Sequence, residues 1–514
     1  MKKLFTIVLC MCMLAVCFAG CGSEPAAKGD PLAGKFCVGY SKVDITPSEK
    51  VNMAGFADLG ERVSTTIMDH IYATCIAFTD EDGTTVLMFG LDMLNTAENN
   101  ANAIRKLIRE VYPEIPEENI VFSATHTHSS MDPGIAGVTG DKFRQNCLQA
   151  AQEAMADRKP AQMQAAFGRP EGLNWRRHFI LTDGSYRAYQ LGLIDQNLIY
   201  GHLGQADNLM QLIKFTREGG KDVVLINWQA HYAGATGIDY TGISADYPGV
   251  MRSEVERLLD CHAAFVLGGA GNLVCGSRMT NTYIFDNYNY DSYVTHGQLL
   301  AAEAAKFAEN FQPAQTGKIF VTKEDYVMTA ERKHPLYAFG FGEFACTFAP
   351  FEIFDMHARE VREASPYKYT FYASCANAGN GGKYMPHEES FNYFCYEAEA
   401  NLYGKGASEI LRDQMMDMMD KTFAASGQAA QEKAEGYMST PYEPKANGIS
   451  YMNPAPGSLP VVDCENDYWG LDLLYNGQIV RILLRDKALA EQVINMPSVQ
   501  FLFDDYNVAV AIVK

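Results

Sequence analysis

The sequence has no C-x-x-C pair and no closely spaced cysteine framework, although it holds 13 cysteines in 514 residues. That excludes a zinc ribbon and a disulfide-stapled scaffold. Four cysteines fall within the first 21 residues, and the other nine are scattered, as expected of small apolar core residues. No specific bridge is expected. Positive charge is also short: 42 Lys and Arg face 62 Asp and Glu, a net charge of −20. Such a surface repels a phosphate backbone, so nucleic acid is excluded as a partner. Internal repeats, low-complexity tracts and long charge runs are absent. So is any apolar run beyond the N-terminus long and uncharged enough to span a bilayer.

What is present begins with a processing segment. Lys2 and Lys3 precede the apolar stretch Leu4 to Val16, followed by Phe18-Ala19-Gly20-Cys21-Gly22-Ser23. Small residues before a cysteine read as a lipoprotein cleavage box, with a plain secretory signal as the alternative. The expectation is a signal peptide over residues 1–20, lipidated Cys21 as the first mature residue, and a tether over 21–35. The protein would then be extracytoplasmic and anchored to the cell membrane.

Strand and helix signals alternate through most of the remainder. Thr84 to Leu91, Asn119 to Ala124, Met163 to Phe167, Asp222 to Trp228 and Ala263 to Leu267 read as strands. Ala97 to Val111, Phe143 to Asp157, Gly249 to Leu259 and Gly297 to Phe311 read as helices. The pattern predicts an α/β fold: a large mixed domain over residues 36–425. A polar linker over 426–444 and a small β-rich or α+β domain over 445–514 would follow. In that tail, Gly470 to Leu474, Gln478 to Leu484 and Val499 to Phe503 read as strands, and Ala488 to Ile494 as a helix.

The chemistry sits where a strand ends. Asn119-Ile120-Val121-Phe122 runs into Ser123-Ala124-Thr125-His126-Thr127-His128-Ser129. Residues i and i+2 of an extended segment point the same way, so both imidazoles can face one pocket. Neutral imidazole is a common ligand for divalent metals. Two loop histidines alone are more often ordinary polar residues, and the later segments decide between these readings. Asp222 to Trp228 leads at once to Gln229-Ala230-His231, and Ala263 to Leu267 into Gly268-Gly269-Ala270-Gly271-Asn272.

Taken in order, these segments resemble the neutral/alkaline non-lysosomal ceramidase family from about Val38 to Phe423. Val38-Gly39-Tyr40 with Val43-Asp44-Ile45-Thr46-Pro47 looks like its opening strand and turn. Ile71-Tyr72-Ala73 and Leu91-Asp92 fall at its early strands. Ser123 to Ser129, Ile226-Asn227-Trp228 with His231, and Ser244-Ala245-Asp246-Tyr247-Pro248-Gly249 resemble its later motifs. The resemblance implies one Zn²⁺ held by His126, His231, Glu343 in Phe341-Gly342-Glu343-Phe344, and Tyr384 in Gly381-Gly382-Lys383-Tyr384-Met385-Pro386. Two imidazoles and a carboxylate suit zinc and leave a position for water. The resemblance also implies His128, Arg176 and Tyr396 as groups that polarise the substrate, with Arg177 as the alternative arginine.

One departure stands out. The family carries a serine, often described as a nucleophile, in a turn where this chain reads Ala270-Gly271-Asn272-Leu273-Val274-Cys275-Gly276-Ser277. Val274 falls at the serine position, and Cys275 and Ser277 are shifted in register. The implied activity is zinc-dependent hydrolysis of a linear amide, such as an N-acyl lipid or smaller amide, by metal-activated water. The alternatives are a zinc hydrolase of another ester or amide, and a metal-containing binding lipoprotein without turnover.

Overall fold

The structure is a computed structural model. It describes residues 32–513 except 57–60, 182, 189–198, 232–233, 276–290, 330–331, 378–382, 394, 440–460, 465–467, 476–477, 485–498 and 503–509. The segment expected as a leader, with Cys21, as well as Ser277 and the helix expected over 488–494, lie outside the described residues.

The main sheet is built from β1 (Cys37–Asp44), β2 (Tyr72–Thr79), β3 (Thr85–Leu91), β4 (Ile120–Ala124), β5 (Lys159–Gly168), β6 (Met210–Arg217), β7 (Val223–Trp228), β8 (His262–Leu267) and β9 (Gln312–Ala314). Its order is β8-β7-β6-β5-β1-β2-β3-β4, with β9 also paired to β5. The pairs β3/β4 and β7/β8 are parallel, and the other pairs are antiparallel. A second sheet follows, in the order β10 (Phe320–Thr329), β11 (Arg332–Phe341), β12 (Phe344–Phe348) and β13 (Tyr369–Ala373).

Period-two alternation sorts the side chains between layers. Val223 and Leu225 of β7 enter a core shared with Phe344, Cys346 and Phe348 of β12, so the two sheets pack face to face. Val224, Ile226 and Trp228 of the same strand face the other way, in a core with Met251 and Val255 of α3 (Asp246–Leu259) and Leu300 of α4 (Asp291–Ala308). On β2, Ala73, Cys75 and Ala77 meet Ile104 and Ile108 of α1 (Glu98–Val111) and Phe143 and Cys147 of α2 (Gly137–Ala156). The free face of the second sheet is covered by α5 (Asp355–Ala364) and α6 (Ala407–Ala424). Both faces of the central strands are covered, which is why they read as nearly continuous apolar runs. The eight described cysteines are buried and unbridged. Among the described residues, no helix is long and apolar enough to cross a membrane.

The sheet curls until its two ends meet. β8 packs beside β4 and β3 although they stand at opposite ends of the strand order. Gly90 of β3 faces β8 here: a Cβ would make ordinary contact with the Phe265 carbonyl oxygen at 3.4 Å, but would strike Thr74 Oγ1 of β2 at 2.7 Å.

The stretch expected as a linker behaves otherwise over its described part. Tyr437 is fully buried, exchanges hydrogen bonds with Gln211 and Thr370, and joins the core between the sheets. Lys433 donates to the Arg362 carbonyl at 3.1 Å, and Ser439 to Glu363. Lys433 and Ser439 bond to the body, while Gln428, Glu432 and Glu435 stay exposed, so the stretch is solvated on one side and docked on the other. In the tail, Val461–Cys464, Tyr468–Tyr475 and Gln478–Leu484 form an antiparallel sheet, and Val499–Leu502 pairs with Val510–Val513.

One buried ion pair ties the end of β3 to α3. Arg252 donates to both oxygens of Asp92, at 2.8 and 2.6 Å, and Asp92 also accepts the Tyr72 N–H. Replacing the arginine alone leaves a carboxylate buried without its cation. Arg252→Met is therefore expected to destabilise the fold by about 3–5 kcal/mol, read as a lower denaturant midpoint. A variant within 0.5 kcal/mol of the parent (roughly the scatter of neutral surface changes) would show the pair to be dispensable.

Candidate metal centre

His126 follows the last residues of β4, and His231 follows β7 by three residues. Because the ends of the sheet meet, their ring centroids are 4.8 Å apart. His126 adopts a left-handed φ of 63°, a conformation costly for a side chain with a Cβ and typical of sites that over-determine the backbone. Its N–H donates to the Met93 carbonyl at 2.9 Å.

Each ring is oriented through its Nδ1. His126 Nδ1 lies 2.7 Å from the Leu94 carbonyl oxygen, and His231 Nδ1 lies 2.8 Å from that of Ala270. An Nδ1–H donated to a carbonyl leaves the Nε2 lone pair for another use, the arrangement found behind metal-bound histidines. Both Nε2 atoms converge on one carboxylate: Glu352 Oε2 lies 3.4 Å from His126 Nε2 and 3.2 Å from His231 Nε2. That oxygen is buried without a hydrogen bond of good geometry. His128 joins the group, its Nε2 3.4 Å from His126 Nε2, and the three histidines present ligand atoms within 4.8 Å of one another.

The turn Ser244 to Gly249 locks both histidine loops. Ser244 N–H donates to the Ser129 carbonyl at 2.7 Å, Thr127 Oγ1 donates to the Ser244 carbonyl at 2.9 Å, and Tyr247 OH donates to the Ala230 carbonyl at 2.9 Å. Gly55, at φ +113°, lets the chain pass His128, since a Cβ there would meet its Nδ1 at 2.6 Å. Phe56 then packs its ring 5.0 Å from that of His128.

Glu352 arrives from the second sheet, a few residues beyond β12. The segment Glu352–Ile353 pairs in parallel with Tyr384–Met385, Glu352 opposite Tyr384. The glycine-rich loop after β8 packs on this pair: a Cβ on Gly271 would strike the Glu352 carbonyl oxygen at 2.5 Å, and Gly271 N–H donates to Ile353 at 2.8 Å. Tyr384 is buried with its ring 6.4 Å from that of His231. Tyr396 lies edge-on to Tyr384 at 5.6 Å.

The structure thus brings together His126, His128, His231, Tyr384 and Tyr396, and separates two expected residues from them. Glu343 sits in the tight turn between β11 and β12, where it accepts the Gln315 N–H at 3.0 Å and pairs with Lys368 at 3.3 Å. The carboxylate at the histidines is Glu352. Arg176 turns to Asp355, at 3.2 Å. Its neighbour Arg177 projects the other way along the extended chain, with its guanidinium 5.3 Å from the Tyr384 ring centre.

Burial opposes charge on every group here. Burial and then the nearby cationic Arg177 lower His231 to about 4. Burial, with His126 and His231 beside it, holds His128 well below the usual imidazole value. Burial also opposes a proton on His126, but Cys375 and Glu352 outweigh it and raise its pKa. Burial likewise works against the Glu352 anion, yet the imidazoles of His126 and His231 hold its pKa well below the usual carboxylate value. Burial and then the Glu352 charge raise Tyr384. An anionic carboxylate ringed by Nε2 atoms is the donor set of a cation site, and two imidazoles, a carboxylate and a phenol fit zinc.

The residue at the serine position, Val274, is buried and pairs with Trp175. The Cys275 thiol is buried, donates to the His231 carbonyl at 2.9 Å, and is pushed up by burial and the nearby Asp246 charge. A thiol so held is a poor nucleophile.

Residues 36–283 match the family described as neutral/alkaline non-lysosomal ceramidase, N-terminal. That segment contains His126, His128, Arg177 and His231; Glu352 and Tyr384 lie beyond it. Among solved structures, neutral ceramidase from Pseudomonas aeruginosa is similar with a TM-score of 0.64 and 16% identity, covering 78% of this chain and 76% of that one. A structure titled as ceramidase complexed with C2 is similar with a TM-score of 0.64 and 15% identity, over 78% of this chain and 77% of that one. At these identities the likeness is one of fold. No curated protein matches the sequence. Residues 36–283 thus resemble the neutral/alkaline non-lysosomal ceramidase family, on a fold shared with neutral ceramidase.

Proposed function

We propose that this ceramidase-like hydrolase is a zinc-dependent amidase acting on a linear amide, with N-acyl lipids as the first substrate class to try. The observation that carries the reading is the convergence of His126 Nε2, His231 Nε2 and Glu352 Oε2, with both imidazoles tied back through Nδ1. These three residues and Tyr384 would hold the ion. When bound, zinc supplies a Lewis acid that polarises a carbonyl and lowers the pKa of water toward about 7. His128, placed beside the pair, is assigned the proton released as water adds to the amide carbon, on its position alone. Arg177 lies over the Tyr384 ring and Tyr396 against it, and they supply donors to the carbonyl oxygen as it gains charge.

Metal analysis of the purified full chain tests the site. The parent is expected to retain a single equivalent of zinc, and His126→Ala, His231→Ala and Glu352→Gln to lose most of it. Glu343→Gln should keep it, since that carboxylate serves Lys368 and a backbone N–H. Equal retention in Glu352→Gln and the parent would remove the assignment.

Val274 has neither hydroxyl nor thiol, and Cys275 is committed to a backbone carbonyl. Direct attack by water is therefore the proposed route. On a panel of N-acyl-sphingosine, N-acyl amino acid and acyl ester probes, Cys275→Ala and Ser277→Ala should keep most turnover. Tyr396→Phe should lose about 10²–10³-fold, as when an oxyanion donor is removed. An acyl adduct on Cys275 or Ser277, seen by intact-mass spectrometry during turnover, would overturn this route. Zinc retention without turnover on any probe would favour the binding-lipoprotein reading.

We further propose that Cys21 anchors the protein outside the cytoplasm. The Ala19-Gly20-Cys21 box supports this, and two acyl chains give durable attachment where one is marginal. Cys21→Ser should release the protein from the membrane fraction or block its processing. Unchanged fractionation and mass would end the anchoring proposal.

A further inference from the structure

Beside the histidine centre lies a second cluster of donor groups. His178, Cys395 and Glu397 are buried with ligand atoms within 4.8 Å of one another. Glu397 Oε2 lies 3.4 Å from His178 Nε2 and accepts from Cys395 Sγ at 3.2 Å. His178 Nδ1 is fixed on Tyr393 OH at 2.7 Å. By donor type alone this is a metal site. The charges argue against it. Arg177 Nε lies 2.6 Å from Glu397 Oε1, so the carboxylate already has a permanent cation, and a dication on the other oxygen would be repelled by it.

Glu397 instead acts through Arg177. The guanidinium has two further contacts on the side of the proposed zinc ligands. Its terminal nitrogen donates to the Gly271 carbonyl at 2.7 Å, and its centre lies 5.3 Å from the Tyr384 ring centroid. Gly271 directly follows Ala270, whose carbonyl oxygen orients His231 through Nδ1. One buried carboxylate thus fixes the cation that touches both a ring at the centre and the turn that aims a histidine into it. Cys395 and His178 flank the far oxygen, so Glu397 cannot turn away without losing the Cys395 hydrogen bond and the His178 contact.

We propose that Glu397 is a positioning residue for the metal centre, setting Tyr384 and His231 through Arg177. The inference rests on the zinc reading above. Buried partners of this kind commonly change metal affinity by about 10–100-fold when removed.

The test uses the full chain, Zn²⁺ alone with a competing chromogenic chelator, and the visible spectrum of the Co²⁺-loaded protein. Glu397→Gln should weaken zinc 10–100-fold and alter the Co²⁺ bands, and Glu397→Asp, which keeps the charge, should restore part of both. Glu397→Gln leaves a buried cation unpaired and risks the fold. The double variant Arg177→Met/Glu397→Leu removes both charges, and it should fold and still bind zinc weakly. Parental affinity and spectrum in the folded double variant would overturn the inference while leaving the zinc site standing. So would two equivalents of zinc on the parent, one of them lost in both Glu397→Gln and Cys395→Ser, because Glu397 would then be a ligand. A parent that binds no zinc would take down this inference and the proposed function together.

Discussion

An anionic carboxylate buried among imidazoles is the constraint around which this molecule is arranged. Glu352 is 12% exposed with its Oε2 buried, so it has little solvent to stabilise its charge, and an isolated buried carboxylate costs several kcal/mol or more. Its compensation comes from His126 and His231, which belong to distant parts of the sequence. The main sheet must therefore curl until the end of β4 stands beside the end of β7. The second sheet must also deliver Glu352 to that junction. The shared core of β7 and β12 and the close approach at Gly271 serve this delivery. An imidazolium can satisfy the carboxylate with one proton; a dication would satisfy it and turn both imidazoles into neutral ligands.

The same layering explains which parts of the fold were legible in the sequence. Strands covered on both faces produce apolar runs whose ends are easy to read, and Val223–Trp228 and His262–Leu267 differ from expectation by one residue at most. Helices were legible where one face is apolar, as in Glu98–Val111. The start of Gly137–Ala156 was not, because two glycines and a threonine lie in its first turn. Polar composition concealed the docking of residues 428–439, since a single tyrosine, Tyr437, carries the burial.

At the site, the histidines were legible and the carboxylate was not, for a physical reason. His126 and His231 each follow the C-terminal end of an apolar strand, where α/β folds open their clefts. Glu352 obeys the same rule, falling just beyond Phe344–Phe348. Glu343 stands before that strand, in a turn facing Lys368. Applying the strand-end rule a third time would have chosen Glu352. The arginine was a matter of side. Neighbours in an extended chain point apart, so Arg176 and Arg177 reach different carboxylates, Asp355 and Glu397, and nothing in the local sequence says which faces the histidines.

The turn after β8 bears on mechanism more than any single ligand. In this chain its residues are occupied in holding structure. Ala270 orients His231, Gly271 accepts from Arg177, Asn272 exchanges hydrogen bonds with Asp355, and Cys275 donates to the His231 carbonyl. Val274 contributes buried apolar surface next to Trp175. A nucleophile needs a free lone pair, a nearby base and access to substrate. Val274 has no such lone pair, and the Cys275 thiol is buried with its proton directed at a carbonyl rather than at a base. In the proposed mechanism the turn therefore keeps a metal ligand in place and leaves the attack to water.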